Sequence, residues 1–81
     1  MIYIIIKDYG SYEGSSNVTA TTSVRQAFKE CSDPEHKRYV EQEYGGSLEV
    51  EIYHNTQGYT GRATIEPKDL VTFEAFTKKL C

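Results

Sequence analysis

Two cysteines and two histidines are the side chains of this sequence that could serve as nucleophiles, bases or metal ligands. A cysteine nucleophile needs a base within hydrogen-bond reach, and a zinc site needs Cys and His at short, regular spacings. Cys31 and His36 flank a predicted helix break, His54 ends a predicted strand, and Cys81 is the final residue. Because no pair has either spacing, we predict no metal, no cofactor and no enzyme activity.

Other catalytic signals are equally weak. Glu49 and Glu51 share one side of a predicted strand, but alternating charge along a strand is typical of its solvated face. Gly10 and Gly14 precede a strand, whereas a phosphate-binding loop leads into a helix and ends with lysine and Ser or Thr. Cys31 is best interpreted as a small buried apolar residue on a helix face.

An acidic segment is the first candidate binding surface. It contains no Lys or Arg and carries four glutamates, which are Glu41, Glu43, Glu49 and Glu51. If the second helix ends near the solvated face of the third strand, these carboxylates form one negative patch with Tyr53 beside it. Such a patch fits a basic groove on another protein. The alternative is that they are ordinary solvated carboxylates that keep a small protein soluble.

A loop that contains Tyr9 and Tyr12 among glycines and serines is the second candidate. Large amphipathic rings in such a loop can contact a partner with little loss of side-chain freedom. The alternative is that one or both rings fold back to cover the small core.

Size and charge limit the remaining classes. A chain of 81 residues predicts a single domain over residues 1–81, and a net charge of −3 disfavours direct binding to nucleic acid. The longest apolar run is far shorter than the roughly 20 residues that cross a bilayer. The two cysteines do not form a secreted disulfide framework, and the first residues already read as a strand rather than a signal. We therefore expect a cytoplasmic protein that does not insert into membranes.

Hydrophobic periodicity predicts the elements that hold these candidates. The unbroken apolar run Met1 to Ile6 indicates an interior strand covered on both faces, and Asn17 to Thr21 indicates its hairpin partner. Ser47 to His54 alternates with one solvated face, and the segment from Tyr59 returns beside it.

The helices follow the two hairpins. Thr22 or Ser23 can cap a first helix, Pro34 can open a second that Gly45 and Gly46 stop, and Pro67 can open a last one that runs to Leu80. The predicted order is β-β-α-(α)-β-β-α. This order predicts a single small α+β domain with a mostly antiparallel sheet and helices packed on one face.

The chain resembles the short accessory proteins that bacteriophages and prophages encode. The resemblance is carried by a Tyr/Ile strand at the initiator methionine, the loop Asp8-Tyr9-Gly10, a Thr-rich return strand and an amphipathic helix. Some such proteins inhibit host defence systems, including CRISPR nucleases. The resemblance implies a non-enzymatic inhibitor in the host cytoplasm whose partner is a host protein, such as a nucleic-acid-binding defence complex.

Two other functions remain open. Tyrosine rings and serine hydroxyls of the first loop suit a nucleotide signal held between two copies of the chain. Alternatively, a short edge strand could pair with itself, which would make the protein a structural homodimer.

Overall fold

The computed structural model describes residues 1–10, 16–41 and 45–80. In chain order it contains strands β1 (Ile2–Asp8) and β2 (Ser16–Thr21), helices α1 (Val24–Cys31) and α2 (Pro34–Glu41), strands β3 (Ser47–His54) and β4 (Gly58–Thr64), a 3-10 helix (Pro67–Leu70) and helix α3 (Phe73–Leu80). The predicted α+β class and element order are confirmed.

The four strands form one antiparallel sheet in the order β2-β1-β3-β4. The apolar strand β1 is therefore interior to the sheet, as its sequence predicts. Ile5 lies opposite Thr19 on one side and Val50 on the other. Since side chains alternate along a strand, this register sorts every residue of the sheet onto one of two faces.

One face of the sheet carries the core. Its buried apolar residues come from strands, helices and the segment after β4: Ile5, Ala27, Cys31, Leu48, Val50, Ile52, Ile65 and Phe76. Val40 of α2 and Leu70 of the 3-10 helix also lie near Leu48 on this side. We call the three α-helices and the 3-10 helix the helical layer. Its position on one face confirms the predicted packing.

The opposite face differs from expectation, because the run Met1 to Ile6 predicts cover on both sides. Ile5 is buried beneath the helical layer, so its neighbours Ile4 and Ile6 point to the other face, where they are half-buried. None of the described helices packs there. The strand is apolar on both faces although a single copy of the described chain covers only one of them.

Local signals explain the helix boundaries. Ser23 Oγ accepts a hydrogen bond from the N–H of Gln26 at 3.2 Å, which begins α1. Asp33 Oδ1 accepts from the N–H of Glu35 at 3.0 Å, which begins α2. The prediction of one continuous last helix from Pro67 is wrong. The 3-10 helix ends at Leu70, and Thr72 Oγ1 accepts a hydrogen bond from the N–H of Ala75, which begins the separate helix α3.

Gly46 is a position where the fold leaves no room for a side chain. A Cβ atom there would lie 2.9 Å from the Asp8 carbonyl oxygen and 3.0 Å from the backbone of Tyr39. Since both neighbours are backbone, they cannot move aside without shifting β1 or α2. We expect Gly46→Ala to lower the free energy of unfolding by about 1–3 kcal/mol, measured by urea denaturation.

Gly61 supplies the matched control for this substitution. A Cβ atom at Gly61 meets nothing within 4 Å. Gly61→Ala is therefore expected to change the free energy of unfolding by less than about 0.5 kcal/mol. Equal losses in the two variants would contradict the close approach at Gly46.

Candidate protein-binding surface

The sheet face opposite the helical layer brings residues of all four strands together. Register places Ile4 beside Ala20 and Glu51, and Ile6 beside Val18 and Glu49. The four strands contribute unlike side chains to this face. We call it the open face, because no described helix packs on it.

The half of the open face formed by β1 and β2 is apolar except at one end, where Asp8 lies opposite Ser16. Its apolar residues are Ile2, Ile4, Ile6, Val18 and Ala20, which we call the apolar stripe. Val18 retains 61% of its exposure, although such a side chain is normally placed in a core. Contiguous apolar surface of this kind marks interaction sites in soluble proteins.

The other half, formed by β3 and β4, carries charges and aromatic rings. Glu49 Oε2 lies 3.3 Å from Nη1 of Arg62. Glu51 Oε1 accepts a hydrogen bond from the Tyr53 hydroxyl at 3.4 Å. The rings of Tyr53 and Tyr59 meet edge to face, with centroids 5.5 Å apart. Among the described residues, no Lys or Arg forms an ion pair with Glu51.

Tyr53 stays a hydrogen-bond donor in this arrangement. Burial, and after it the negative charge of Glu51, raises the pKa of the Tyr53 hydroxyl. A neutral tyrosine thus links the acidic side chains to the aromatic pair. Tyrosine is among the residues that contribute most energy at protein interfaces.

The predicted site residues fall into separate places. Glu49, Glu51 and Tyr53 lie together on the open face. Glu41 ends α2 in the helical layer, where its carboxylate lies 3.7 Å from the Lys37 ammonium. Of the remaining predicted residues, Glu43 and Tyr12 lie outside the described residues.

Tyr9 packs within the protein rather than standing apart from it. Its ring meets His36 and Tyr39 edge to face at centroid distances of 4.9 and 5.1 Å. His36 is buried, and its Nε2 lies 2.9 Å from the Asp8 carbonyl oxygen. Tyr9 therefore follows the end of β1 and packs against the side of α2 that carries His36 and Tyr39.

Cys31, His36 and His54 occupy structural positions, and Cys81 lies outside the described residues. Cys31 is part of the core as predicted, and burial raises the pKa of its thiol to about 12 despite the nearby Lys7 charge. His54 Nδ1 accepts hydrogen bonds from the N–H groups of Thr56 and Gln57 at the tip of the β3–β4 hairpin. Among the described residues there is no group of three or more His, Cys, Asp or Glu that could hold a metal ion.

An apolar cleft of about 300 Å³ opens at the end of the sheet far from Tyr9. Its described lining is Met1, Tyr3, Val24, Ile52, Thr77 and Leu80. This volume is at the lower end of the range for small-molecule sites. Such a lining suits an uncharged apolar molecule better than the phosphate of a nucleotide.

The apolar stripe is the part of the open face that the candidate site residues do not include. The apolar run of β1 predicts cover on both sides, so Ile4 and Ile6 are not among the predicted surface residues. The signal was present in β3, whose glutamates predict a solvated face. If β1 and β3 are neighbours, alternate isoleucines of β1 must share that face.

These observations define a small α+β domain with one helical layer and one open sheet face. That face is apolar on the β1 and β2 side, and acidic and aromatic on the β3 and β4 side. Comparisons with protein-family models, with curated proteins and with solved structures find no significant match. No helix in the described ranges is long and apolar enough to cross a membrane.

Proposed function

We propose that this protein acts without catalysis by binding another protein through the open face of its sheet. The observation that carries the proposal is the pattern of β1, which is apolar on both faces while the helical layer covers one. Ile4 and Ile6 are only half-buried in the single chain, so part of the favourable free energy of burying them is not realised. A partner that covers the apolar stripe would bury them fully and gain that free energy on binding.

Charge indicates what kind of surface the partner presents. The Glu49 carboxylate pairs with Arg62, whereas among the described residues the observed partner of Glu51 is the Tyr53 hydroxyl. A complementary surface therefore places apolar side chains over the stripe and an Arg or Lys near Glu51. Opposite charges across an interface speed association and select the partner.

The biological role we propose is that of a phage-type accessory protein that inhibits a host protein, with a CRISPR or other defence nuclease as the expected target. Its support is the resemblance in the sequence together with a surface that carries both carboxylates and apolar side chains. Nucleic-acid-binding proteins offer basic grooves that such a surface can occupy. Inhibition then follows from blocking access rather than from chemistry.

The test is a capture experiment in bacterial lysate with the tagged protein as bait. The wild-type protein should retain one identifiable partner, and purified partner should bind Ile4→Thr/Ile6→Thr about 10- to 30-fold more weakly. Threonine keeps the β-branched shape of isoleucine, so β1 is expected to persist. Circular dichroism checks that the fold is intact.

Two controls locate the surface. Val71→Thr removes an apolar side chain that is 78% exposed but lies outside the open face, and it should bind normally. Glu49→Lys/Glu51→Lys should also lose affinity, whereas Glu41→Lys in the helical layer should not. Loss of binding only in Glu41→Lys would assign the site to the helical layer and refute the open face.

A further inference from the structure

The two edges of the sheet differ in how well they resist pairing. Edge strands expose a row of free N–H and C=O groups. Charged residues, proline or bulges on such strands prevent them from pairing with another chain. The β4 edge carries Arg62, and its register with β3 is interrupted between Ile52 and Tyr53. The β2 edge contains neither a charged residue nor proline over its six residues, and it pairs with β1 in unbroken register.

We propose that β2 pairs antiparallel with β2 of a second copy about a twofold axis centred on Thr19. The two four-stranded sheets then form one continuous sheet, with the helical layers on the same side. In this register Val18 lies opposite Ala20 of the second copy, and Ala20 lies opposite Val18. Both residues are exposed in the single chain, so each pair covers apolar surface.

Thr19 gives an independent reason for this register. In the described part of the chain, its Oγ1 is the buried side-chain oxygen that has no hydrogen-bond partner. A buried hydroxyl without a partner is unfavourable, and threonines directly opposite each other on paired strands can hydrogen-bond. The twofold axis places a second Thr19 directly opposite, where the two hydroxyls can hydrogen-bond to each other.

The distribution of charge favours this edge over face-to-face association. Sheets that stack face to face lie about 10 Å apart, which would bring the Glu49 and Glu51 carboxylates of two copies together. Pairing through β2 separates the two β3 strands by five strand spacings, or about 24 Å. Repulsion across that distance is screened, because the Debye length is about 8 Å at physiological ionic strength.

The dimer also changes the open face. Because β2 borders the apolar stripe, pairing joins the stripes of the two copies into one surface flanked by acidic residues on both sides. The edge contact itself is small, so we expect reversible dimerisation that depends on concentration. This dimer forms through the β2 edge and does not require the proposed partner, although Val18 and Ala20 at that edge also belong to the apolar stripe.

Sedimentation equilibrium over micromolar to millimolar concentrations tests the pairing. The mass of the wild-type protein should rise from that of a monomer to that of a dimer. Val18→Lys should weaken the dimer at least about tenfold, because lysine on an edge strand opposes pairing. Thr64→Lys adds the same charge to an exposed position on β4 and should leave the dimer unchanged.

A protein that stays monomeric at millimolar concentration overturns the inference, and so does a dimer that Val18→Lys leaves intact. The register is tested by oxidising Val18→Cys and Ala20→Cys variants in a Cys81→Ser background. A mixture should form a disulfide between the two variants in preference to either with itself, because the two positions lie opposite each other. Failure of the mixture to cross-link preferentially refutes the Thr19 axis.

Discussion

Replacement of Phe76 by alanine is expected to lower the free energy of unfolding by about 3–5 kcal/mol. Phe76 is fully buried at the centre of α3, and its ring lies 5.3 Å from the ring of Phe28 on α1. Its removal takes away apolar contacts and leaves a cavity between the helical layer and the sheet. A domain of this size is expected to have a total stability of only about 4–12 kcal/mol, so the loss is a large share of it.

The same substitution at Phe73 is the internal control. Phe73 lies on the same helix, but it is only half-buried, between the Phe28 ring at 5.5 Å and the Arg25 guanidinium at 4.6 Å. Phe73→Ala is therefore expected to cost about 1–2 kcal/mol. Urea denaturation measures both variants, and an equal cost would show that the core is not centred on Phe76.

The sequence was sufficient for the elements whose residues obey one dominant period. β3 alternates because one of its faces lies on the core and the other is solvated. Thr22 and Ser23 are both candidate caps of α1, and the structure shows that Ser23 begins the helix. The last helix was mispredicted because its apolar residues keep a helical spacing across a break. The break depends on Thr72, whose hydroxyl competes for the next helical N–H.

The candidate site was harder to predict, because it depends on which strands are neighbours. Glu49, Glu51 and Tyr53 could be placed on one side of β3 from alternation alone. Their position beside the apolar stripe could not, because periodicity within a strand does not reveal its neighbour. Glu41 could not be assigned to a face either, because that depends on how α2 packs against the sheet.

Two predictions made from the sequence conflict with each other. An unbroken apolar β1 predicts cover on both faces, whereas the glutamates of β3 predict one solvated face. Adjacent strands of one sheet share their faces, so both cannot describe a single chain on its own. The proposed partner reconciles them, because the same face is solvated in the free protein and covered in the complex.

Among the described residues, Lys7 is the one at which loss of charge partners is expected to lower the free energy of unfolding most. It lies on the core face of β1 with 7% of its side chain exposed, and its ammonium is 3.3 Å from Asp33 and 3.6 Å from Glu30. Each carboxylate is about a third exposed, so the carboxylates remain partly solvated while the ammonium does not. The two sides of this ion cluster should therefore respond differently to substitution.

Glu30→Gln/Asp33→Asn leaves the buried ammonium without a counter-charge and is expected to cost about 2–4 kcal/mol of unfolding free energy. Asparagine also caps helices well, so the start of α2 should persist in this variant. Lys7→Met removes the cation and leaves two carboxylates that water can reach, and its expected cost is about 1 kcal/mol. Urea denaturation at neutral pH compares the two, and a larger loss in Lys7→Met would contradict the asymmetry.

The same ion cluster predicts how the free energy of unfolding depends on pH. Burial by itself raises the pKa of the Asp33 carboxyl, but the hydrogen bond from the Glu35 N–H and the hydrogen bond and charge of Lys7 outweigh it and hold that pKa below its usual range. A carboxyl whose pKa is lower in the folded state stabilises the fold above its unfolded-state pKa and loses this contribution as the pH falls through its folded-state pKa. The difference in unfolding free energy between wild-type protein and Asp33→Asn should therefore be full at neutral pH and shrink from about pH 4 downward. Denaturation measured at a series of pH values tests this, and a difference that stays constant into strong acid would show that Asp33 does not stabilise the fold through its charge.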